Sequence, residues 1–439
     1  MITNKQKDLA AWAMAYALKN GCAAARLNLY NNSNTSFEIR DMKIDSLQQA
    51  SENGLSIQLF VNGRFGAIST NRLEKKELED FIRNGIDSIR YLAEDKARTL
   101  PDASLYYKGG GEDLQLYDPT FPELKPDDKV ALAMSVCDEM MGKDNRLVSA
   151  NASYSDGDYF SYLIANNGFE GEVKRTSFSL FAEASIKDVG DERPSAYWSE
   201  SSLYFAELIK TGIGKKALER ALKKLGQKKT ASAKMPMVVD YLNANQLLSP
   251  VLEAISGAAI QQKDSFMLDK LLQNVFHKQM TVVDEPHLIK SSGARYFDSE
   301  GIATQKRNIF DAGVLNLYFI DTYYGNKLNM PQTIGSASIL TMPQGSKDAE
   351  GLAASLNKGI LVTGFNGGNC NQTTGDFSYG IEGFLIEKGK ITQPVNEMNI
   401  TGNMLTLWNQ LVEIGNDARI TSRRRIPSLL FDNVDFSGM

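Results

Sequence analysis

Histidine is nearly absent from this 439-residue chain, which has two, His277 and His287. A His-ligated metal site or a His general base therefore has almost no material to draw on. Cysteine is also scarce: Cys22, Cys137 and Cys370 are odd in number and far apart. That excludes a disulfide framework and points to reduced thiols in a cytoplasmic protein. No apolar run approaches the ~20 residues that a membrane-spanning helix requires. Neither sign of charge dominates, with 48 Lys and Arg against 53 Asp and Glu for a net charge of −5. No global field therefore draws the chain to nucleic acid or to an acidic membrane surface. What is present is ordinary: 42% hydrophobic and 23% charged residues exclude a disordered tail, a coiled coil or a collagen-like chain.

At the N-terminus, Lys5 and Lys7 ahead of the apolar Leu9–Leu18 give the outline of a signal peptide. Asp8 in the flank and polar Lys19-Asn20 after the run argue instead for a buried amphipathic helix over 4–20, stopped by Gly21. Short β-type runs follow at 25–30, 36–41, 56–61 and 65–70, with Asn62-Gly63 as a two-residue hairpin signal. A charged helix is expected near 74–94. The next segment repeats this plan: a helix near 127–141, four strands between 147 and 203, and a helix near 215–225.

The pattern predicts an α+β fold whose N-terminal α/β region has two similar helix-plus-antiparallel-sheet lobes, 1–100 and 127–230. A polar Pro- and Gly-rich linker, 101–126, lies between them. Residues 231–439 read as a C-terminal β-rich domain, with a strand at 237–241, a helix over 244–261, further strands including 291–297, and a helix over 403–414.

Most chemical motifs fail on inspection. Gly212-Ile-Gly-Lys-Lys216 lacks the first Gly and the hydroxyl residue of a phosphate loop. The basic run from Lys215 to Lys229 reads as the solvated face of a helix whose Ala217, Leu218, Ala221, Leu222 and Leu225 turn inward. Arg423-Arg424-Arg425 is sharper, and an intrachain or subunit salt-bridge role is expected ahead of DNA binding. No nucleophile elbow accompanies either His, and Asp321-Thr322-Tyr323 lacks the Gly of an aspartic-protease turn.

The C-terminal half carries recognisable blocks. Residues 252–266 (Leu-Glu-Ala-Ile-Ser-Gly-Ala-Ala-Ile-Gln-Gln-Lys-Asp-Ser-Phe), 297–310 with Gly313-Val-Leu, Gly364-Phe-Asn-Gly-Gly, Thr374-Gly-Asp-Phe-Ser-Tyr-Gly380, Gly402-Asn-Met404 and Val412–Asp417 follow one another. In that order they resemble the TldD/PmbA family, in its PmbA (TldE) branch. In the family, the TldD-type chain carries a His-Glu-x-x-x-His zinc motif on this helix and a further Cys ligand near the C-terminus. Registered by Lys263, the two ligand positions fall here on Ser249 and Ala254, with Pro250 at the Glu. None of these can ligate zinc or serve as a base, no His precedes His277, and no Cys follows Cys370.

The resemblance thus implies a zinc-less, non-catalytic subunit of a heterodimeric metallopeptidase, with no cofactor of its own. Zinc would reside in a TldD-type partner, and flexible peptides or small proteins would be the substrate. Asp298, Arg307, Asp376, Asn416 and Asp417 lie in the family-like blocks as groove or interface residues, with turn and loop capping as the plainer role. Two other readings stay open. One is a stand-alone non-zinc peptidase working as a homodimer; the other is a non-catalytic protein that binds gyrase or antitoxin-related partners.

Overall fold

The computed structural model describes residues 2–438. Helix α1 (Asn4–Lys19) starts at Thr3, whose hydroxyl accepts from Gln6 N while the Gln6 side chain accepts from Thr3 N at 2.9 Å. It ends at Gly21, which has φ 105°. Strands β1 (Ala24–Arg40), β2 (Lys43–Val61) and β3 (Arg64–Thr70) and helix α2 (Lys75–Ile89) complete the first half. Asn62 and Gly63 both take positive φ and form the expected hairpin turn between β2 and β3. Helix α3 (Pro126–Asp138), strands β4 (Leu147–Ala165), β5 (Phe169–Ile186) and β6 (Ser195–Ser202), and helix α4 (Ile213–Lys223) repeat the plan.

The two halves are joined edge to edge. β1 pairs with β4, giving one six-stranded antiparallel sheet in the order β3-β2-β1-β4-β5-β6. The sequence suggested four strands per half; there are three. The runs at 25–30 and 36–41 are one strand, as are 147–154 and 159–166. The polar segments that look like turns, Asn31–Asn34 and Asp156–Asp158, lie opposite each other, with Ser33 facing Asp158 and Asn34 facing Gly157. Ladder bonds on both sides satisfy their backbone, so polarity there costs little. Gly157 is required by crowding rather than by a turn, since a Cβ would lie 2.5 Å from Asn34 Oδ1 and 2.6 Å from Ser33 O. Asp156 is buried, and its Oδ2 is met by Lys129 Nζ at 2.5 Å and Tyr154 OH at 2.7 Å.

All four helices pack on one face of this sheet. Leu27, Leu29, Leu55, Ile57 and Leu59 meet Ala10, Ala13, Ala17, Ile82 and Ile86 in one cluster. In the other, Tyr154, Phe178 and Leu180 meet Val136, Ala217 and Ala221. By strand alternation the opposite face carries polar residues, among them Arg26, Asn28, Tyr159, Arg175 and Ser177, and at one end Leu163, Ala165 and Phe169, which lie under Tyr106 and Phe297. Residues 101–126 form no regular strand and bridge the two parts of the molecule. Thr176 N donates to Leu116 O at 3.0 Å, Lys290 N donates to Leu114 O at 2.9 Å, and Tyr106 and Leu114 are buried.

The C-terminal part contains β7 (Ala233–Val239), α5 (Asn245–Ala254), α6 (Gly257–Gln262), β8 (Val282–Asp284), β9 (Arg307–Asp311), β10 (Val314–Leu315) and α7 (Thr322–Leu328). It continues through β11 (Leu340–Thr341), α8 (Ala349–Ala354), β12 (Lys358–Cys370), β13 (Asp376–Glu387) and β14 (Lys390–Asn403). The chain ends with α9 (Met404–Asn409), β15 (Leu411–Ile414), β16 (Arg424–Arg425) and β17 (Leu429–Ser437). Strands β14-β13-β12-β7-β17 close on themselves through the β14–β17 pairing, and β15 adds to β17. Closure removes the sheet edges and encloses a core in which Trp408 is the largest fully buried side chain. A second sheet, β10-β9-β8-β11-β16, stands beside it.

Three local expectations change here. The helix expected over 244–261 breaks at Ile255-Ser256, where Ser256 Oγ accepts from Ala259 N and starts α6. Residues 291–297 form a loop, tied by an isolated pairing of Phe297 with Ala303. Residues 411–414 leave the expected helix because β17 offers them a strand partner.

Candidate functional site

Helix α5 packs Leu247, Leu248, Val251, Leu252 and Ala254 into the barrel core beside Met237, Val239, Ile381 and Phe431. This apolar stripe fixes its rotation. Ser249 is left on the outer side, one turn from Asn245, and Asn245 Nδ2 donates to Ser249 Oγ at 3.2 Å. Arg424, carried on β16, reaches both: Nη1 lies 2.9 Å from Asn245 Oδ1 and 3.2 Å from Ser249 Oγ. Burial and the adjacent Arg423 move this guanidinium down from its usual range, while Glu253 on the same helix opposes them.

Of the three registered positions, the structure therefore places Ser249 against a guanidinium and Ala254 in the core. Pro250 stands within the helix between them. A hydroxyl, an amide and a fixed positive charge make a poor donor set for zinc, which takes His, Cys or carboxylate ligands. A divalent cation would also meet repulsion from the Arg424 guanidinium. The residues present do not fit the metal. Among the described residues, no group of three or more His, Cys, Asp or Glu side chains is arranged to hold a metal ion.

The remaining reactive side chains are quiet. Burial, reinforced by Asp376 and Glu253, pushes the Cys370 thiol up to about 11, so the thiolate nucleophile is scarce at neutral pH. His287 Nε2 lies 3.1 Å from Thr304 Oγ1, its ring packs on Tyr296, and burial moves its pKa down. His277 Nδ1 lies 3.4 Å from Gln279 N.

The five groove or interface candidates fall in three separate places. Asp298 and Arg307 sit with Asp284 and Arg295 in a buried charged group, where burial raises both carboxyls and lowers both guanidiniums. Asp298 Oδ1 accepts from Glu300 N and Ile302 N, and Asp298 lines a cleft of about 320 Å³ together with Arg26, Arg295 and Tyr323. Asp376, at the barrel mouth near Cys370, accepts from Asn403 Nδ2 and Thr374 Oγ1, which hold its carboxyl below the usual range. Asp417 ties Ser428 N, Ser428 Oγ and Ala349 N together, and Asn416 N donates to Lys347 O. Asp417 lines a larger cavity of about 970 Å³ beside α4, with Arg220 and buried Asp240. The sequence reading overlooked Asn245 and Glu253. The i, i+4 pairing of Asn245 with Ser249 was the available signal. Arg423–Arg425 had been expected to form salt bridges; within this chain none of the three is ion-paired among the described residues, and Arg424 and Arg425 contact neutral acceptors instead.

Three family models match the chain: PmbA/TldA metallopeptidase domain 1 over residues 25–89, the central domain over 119–225, and the C-terminal domain over 232–438. The chain belongs to the PmbA/TldD metallopeptidase family. The metalloprotease PmbA homolog of Buchnera aphidicola is 27% identical over 426 residues, covering 96% of this chain and 94% of that protein. Metalloprotease PmbA of Escherichia coli is 26% identical over 403 residues, covering 90% and 88%. A crystal structure from Bacteroides thetaiotaomicron, described as a proposed modulator of DNA gyrase, is 62% identical over the whole of both chains with a TM-score of 0.98. TldE from Thermococcus kodakarensis shares the fold, with a TM-score of 0.85 at 16% identity over 98% of this chain and 100% of that one. Among the described residues, no helix is long and apolar enough to cross a membrane.

Proposed function

We propose that this chain is the zinc-less, non-catalytic subunit of a two-chain metallopeptidase, paired with a TldD-type subunit that brings the zinc. The complex would process flexible peptides and small proteins in the cytoplasm. The observation that carries this reading is the Arg424 guanidinium held against Ser249 on α5, where the resemblance registers a metal ligand. Peptide hydrolysis needs an activated water or nucleophile. The site has no metal donor set, and the Cys370 thiol is pushed up to about 11. What the chain does provide is a partly polar sheet face and a barrel that positions α5, on which the proposed pairing would build. The groove and interface roles of Asp298, Arg307, Asp376, Asn416 and Asp417 belong to this proposal. So do the vacant ligand positions Ser249, Pro250 and Ala254, and the division into lobes 1–100 and 127–230, linker 101–126 and domain 231–439.

Reconstitution tests the proposal. Mixing this chain with a TldD-type partner is expected to yield cleavage of an unfolded protein that neither chain gives alone, and cleavage by the partner alone at the same rate would overturn it. Elemental analysis of this chain purified alone is expected to find zinc far below stoichiometric.

A further inference from the structure

Two cavities lie where helix α4 of the N-terminal half faces the barrel, one of about 970 Å³ and one of about 450 Å³, and Arg220, Lys224 and Thr363 line both. We propose that they form a binding site for a short peptide with apolar side chains and a free C-terminal carboxylate, which Arg220 receives. The inference deepens the peptidase-subunit reading by giving the non-catalytic chain a peptide site of its own. It rests on that reading for the choice of a peptide over other apolar carboxylates.

Strand alternation builds the apolar wall. On β12, Ile360 and Val362 pack into the barrel core, so Leu361 and Thr363 point outward, and Leu361 joins Leu352, Phe384 and Ile386 in a small cluster outside the barrel. Leu361, Phe384 and Ile391 line the larger cavity, and Ile391 is left 38% exposed, so apolar surface remains there for a ligand to bury. The smaller cavity is lined by Gln227, Asn243, Asn366 and Asn396, whose amides suit a peptide backbone.

The charged side chains divide into those already satisfied and two that are not. Lys224 Nζ donates to Ser195 O at 2.8 Å and to Glu382 Oε1 at 2.6 Å. Asp417 is held by Ser428 N, Ser428 Oγ and Ala349 N. Lys223 and Lys390 are balanced by Asp348 and Glu350, and all four are exposed. Arg220 and Asp240 remain. The Arg220 guanidinium lies 5.7 Å from the Trp198 ring centroid, its Nε is shielded from solvent with no hydrogen-bond partner, and among the described residues it forms no ion pair. Asp240 is only 6% exposed and uses Oδ1 for both bonds from Asn243, at 3.0 and 2.7 Å. Among the described residues no donor reaches its Oδ2. Asn243 Nδ2 also donates to Thr363 O at 2.8 Å, which fixes Asp240 against β12.

A guanidinium and a carboxyl with unfilled bonds in one cavity are each costly. They attract one another without forming an ion pair, which leaves both free for a ligand that carries an acceptor and a donor. A C-terminal carboxylate matches the guanidinium fork in two-point geometry. A peptide N–H or ammonium reaching Oδ2 favours the ionised form of a carboxyl that burial raises. Basic and acidic side chains are equal in number around the larger cavity, which disfavours a polyanion. Its volume suits a ligand of roughly drug size, which a peptide of about three residues is.

Calorimetric titration of the full-length chain with the tripeptide Ala-Leu-Phe and with its C-terminal amide tests the proposal. The free acid is expected to bind at least about tenfold more tightly than the amide, and at least about tenfold more tightly than Ala-Ser-Ser. Arg220→Gln should erase the difference between acid and amide, Arg220→Lys should retain part of it, and Lys223→Gln should leave it unchanged. Asp240→Asn, which keeps the acceptor for Asn243, should weaken both peptides by about tenfold. Thermal melts of each variant separate lost binding from lost folding, and the comparison of peptides on the unaltered chain needs no variant to fold. Equal affinity for acid and amide, or no binding of the acid in the millimolar range, overturns the proposal. Octanoate displacing the tripeptide at equal or lower concentration would also overturn it, assigning the cavity to apolar carboxylates at large. Cleavage of an unfolded protein by the reconstituted pair without tripeptide binding would leave the subunit reading intact while this inference fell. Tripeptide binding by this chain without cleavage by the pair would do the reverse.

Discussion

The two large sheets of this molecule solve opposite problems. The C-terminal sheet closes, so its edges vanish and its inner side chains, Trp408 above all, pack into one apolar core. The N-terminal sheet stays open and buries one face under four helices; on the other face Leu163, Ala165 and Phe169 lie under Tyr106 and Phe297, and the rest is polar. Closure makes a rigid mount for α5, whereas the open sheet shares part of its second face with the segments that lead to and belong to the C-terminal part. The Arg424–Ser249 contact ties a strand of the smaller C-terminal sheet to α5.

Substitutions can break this contrast. Trp408→Ala should cost the most, about 3–5 kcal/mol, because the enclosed barrel cannot collapse around the cavity; urea denaturation checks it. Gly157→Ala, in the middle of the open sheet, should cost about 1–3 kcal/mol through its clash with Ser33 O and Asn34 Oδ1. A value near zero would mean that β1 and β4 separate easily.

The third prediction concerns pH. Burial raises the Asp240 carboxyl above its ordinary range, so the folded state holds a proton that the unfolded state releases near pH 3.9, roughly. This contribution to stability is present at low pH and is lost as pH rises from the unfolded pKa through the folded one. Asp240→Asn, which keeps the Oδ1 acceptor for Asn243, should therefore flatten that fall and be neutral or stabilising by about 1 kcal/mol at neutral pH. Denaturation midpoints measured across the acidic-to-neutral range test this; a wild-type stability that does not fall through that window would refute it. The smallest effect is expected on the polar part of the open sheet's second face, where Ser177→Ala should change stability by no more than about 0.5 kcal/mol.

Much of this was legible because the signals are local. Thr3 with Gln6, the inward spacing of Leu78, Ile82, Ile86 and Ile89, and Asn62-Gly63 each specify their own element. The inward face of α4 was equally clear: Ala217, Leu218 and Ala221 are buried while its lysines stay outside. Strand boundaries misled where polar residues sat inside a central strand. At Asn31–Asn34 and Asp156–Asp158 the deciding partner lies more than a hundred residues away, so no local pattern reveals it. The site divided in the same way. That Ser249, Pro250 and Ala254 cannot ligate zinc follows from residue identity alone. That Arg424 caps Ser249, and that Asp417 binds Ser428 and Ala349, required the fold.

The sequence by itself determined the helices of the first half, its hairpin and its repeated plan, and a donor set without the chemistry of a metal site. Side-chain type and short-range periodicity are sufficient for each of these. Only the tertiary structure decided that two half-sheets fuse, that a barrel closes, and that Arg424 meets Ser249. Those outcomes depend on backbone and side-chain hydrogen bonding between residues remote in the chain, which sequence spacing does not encode.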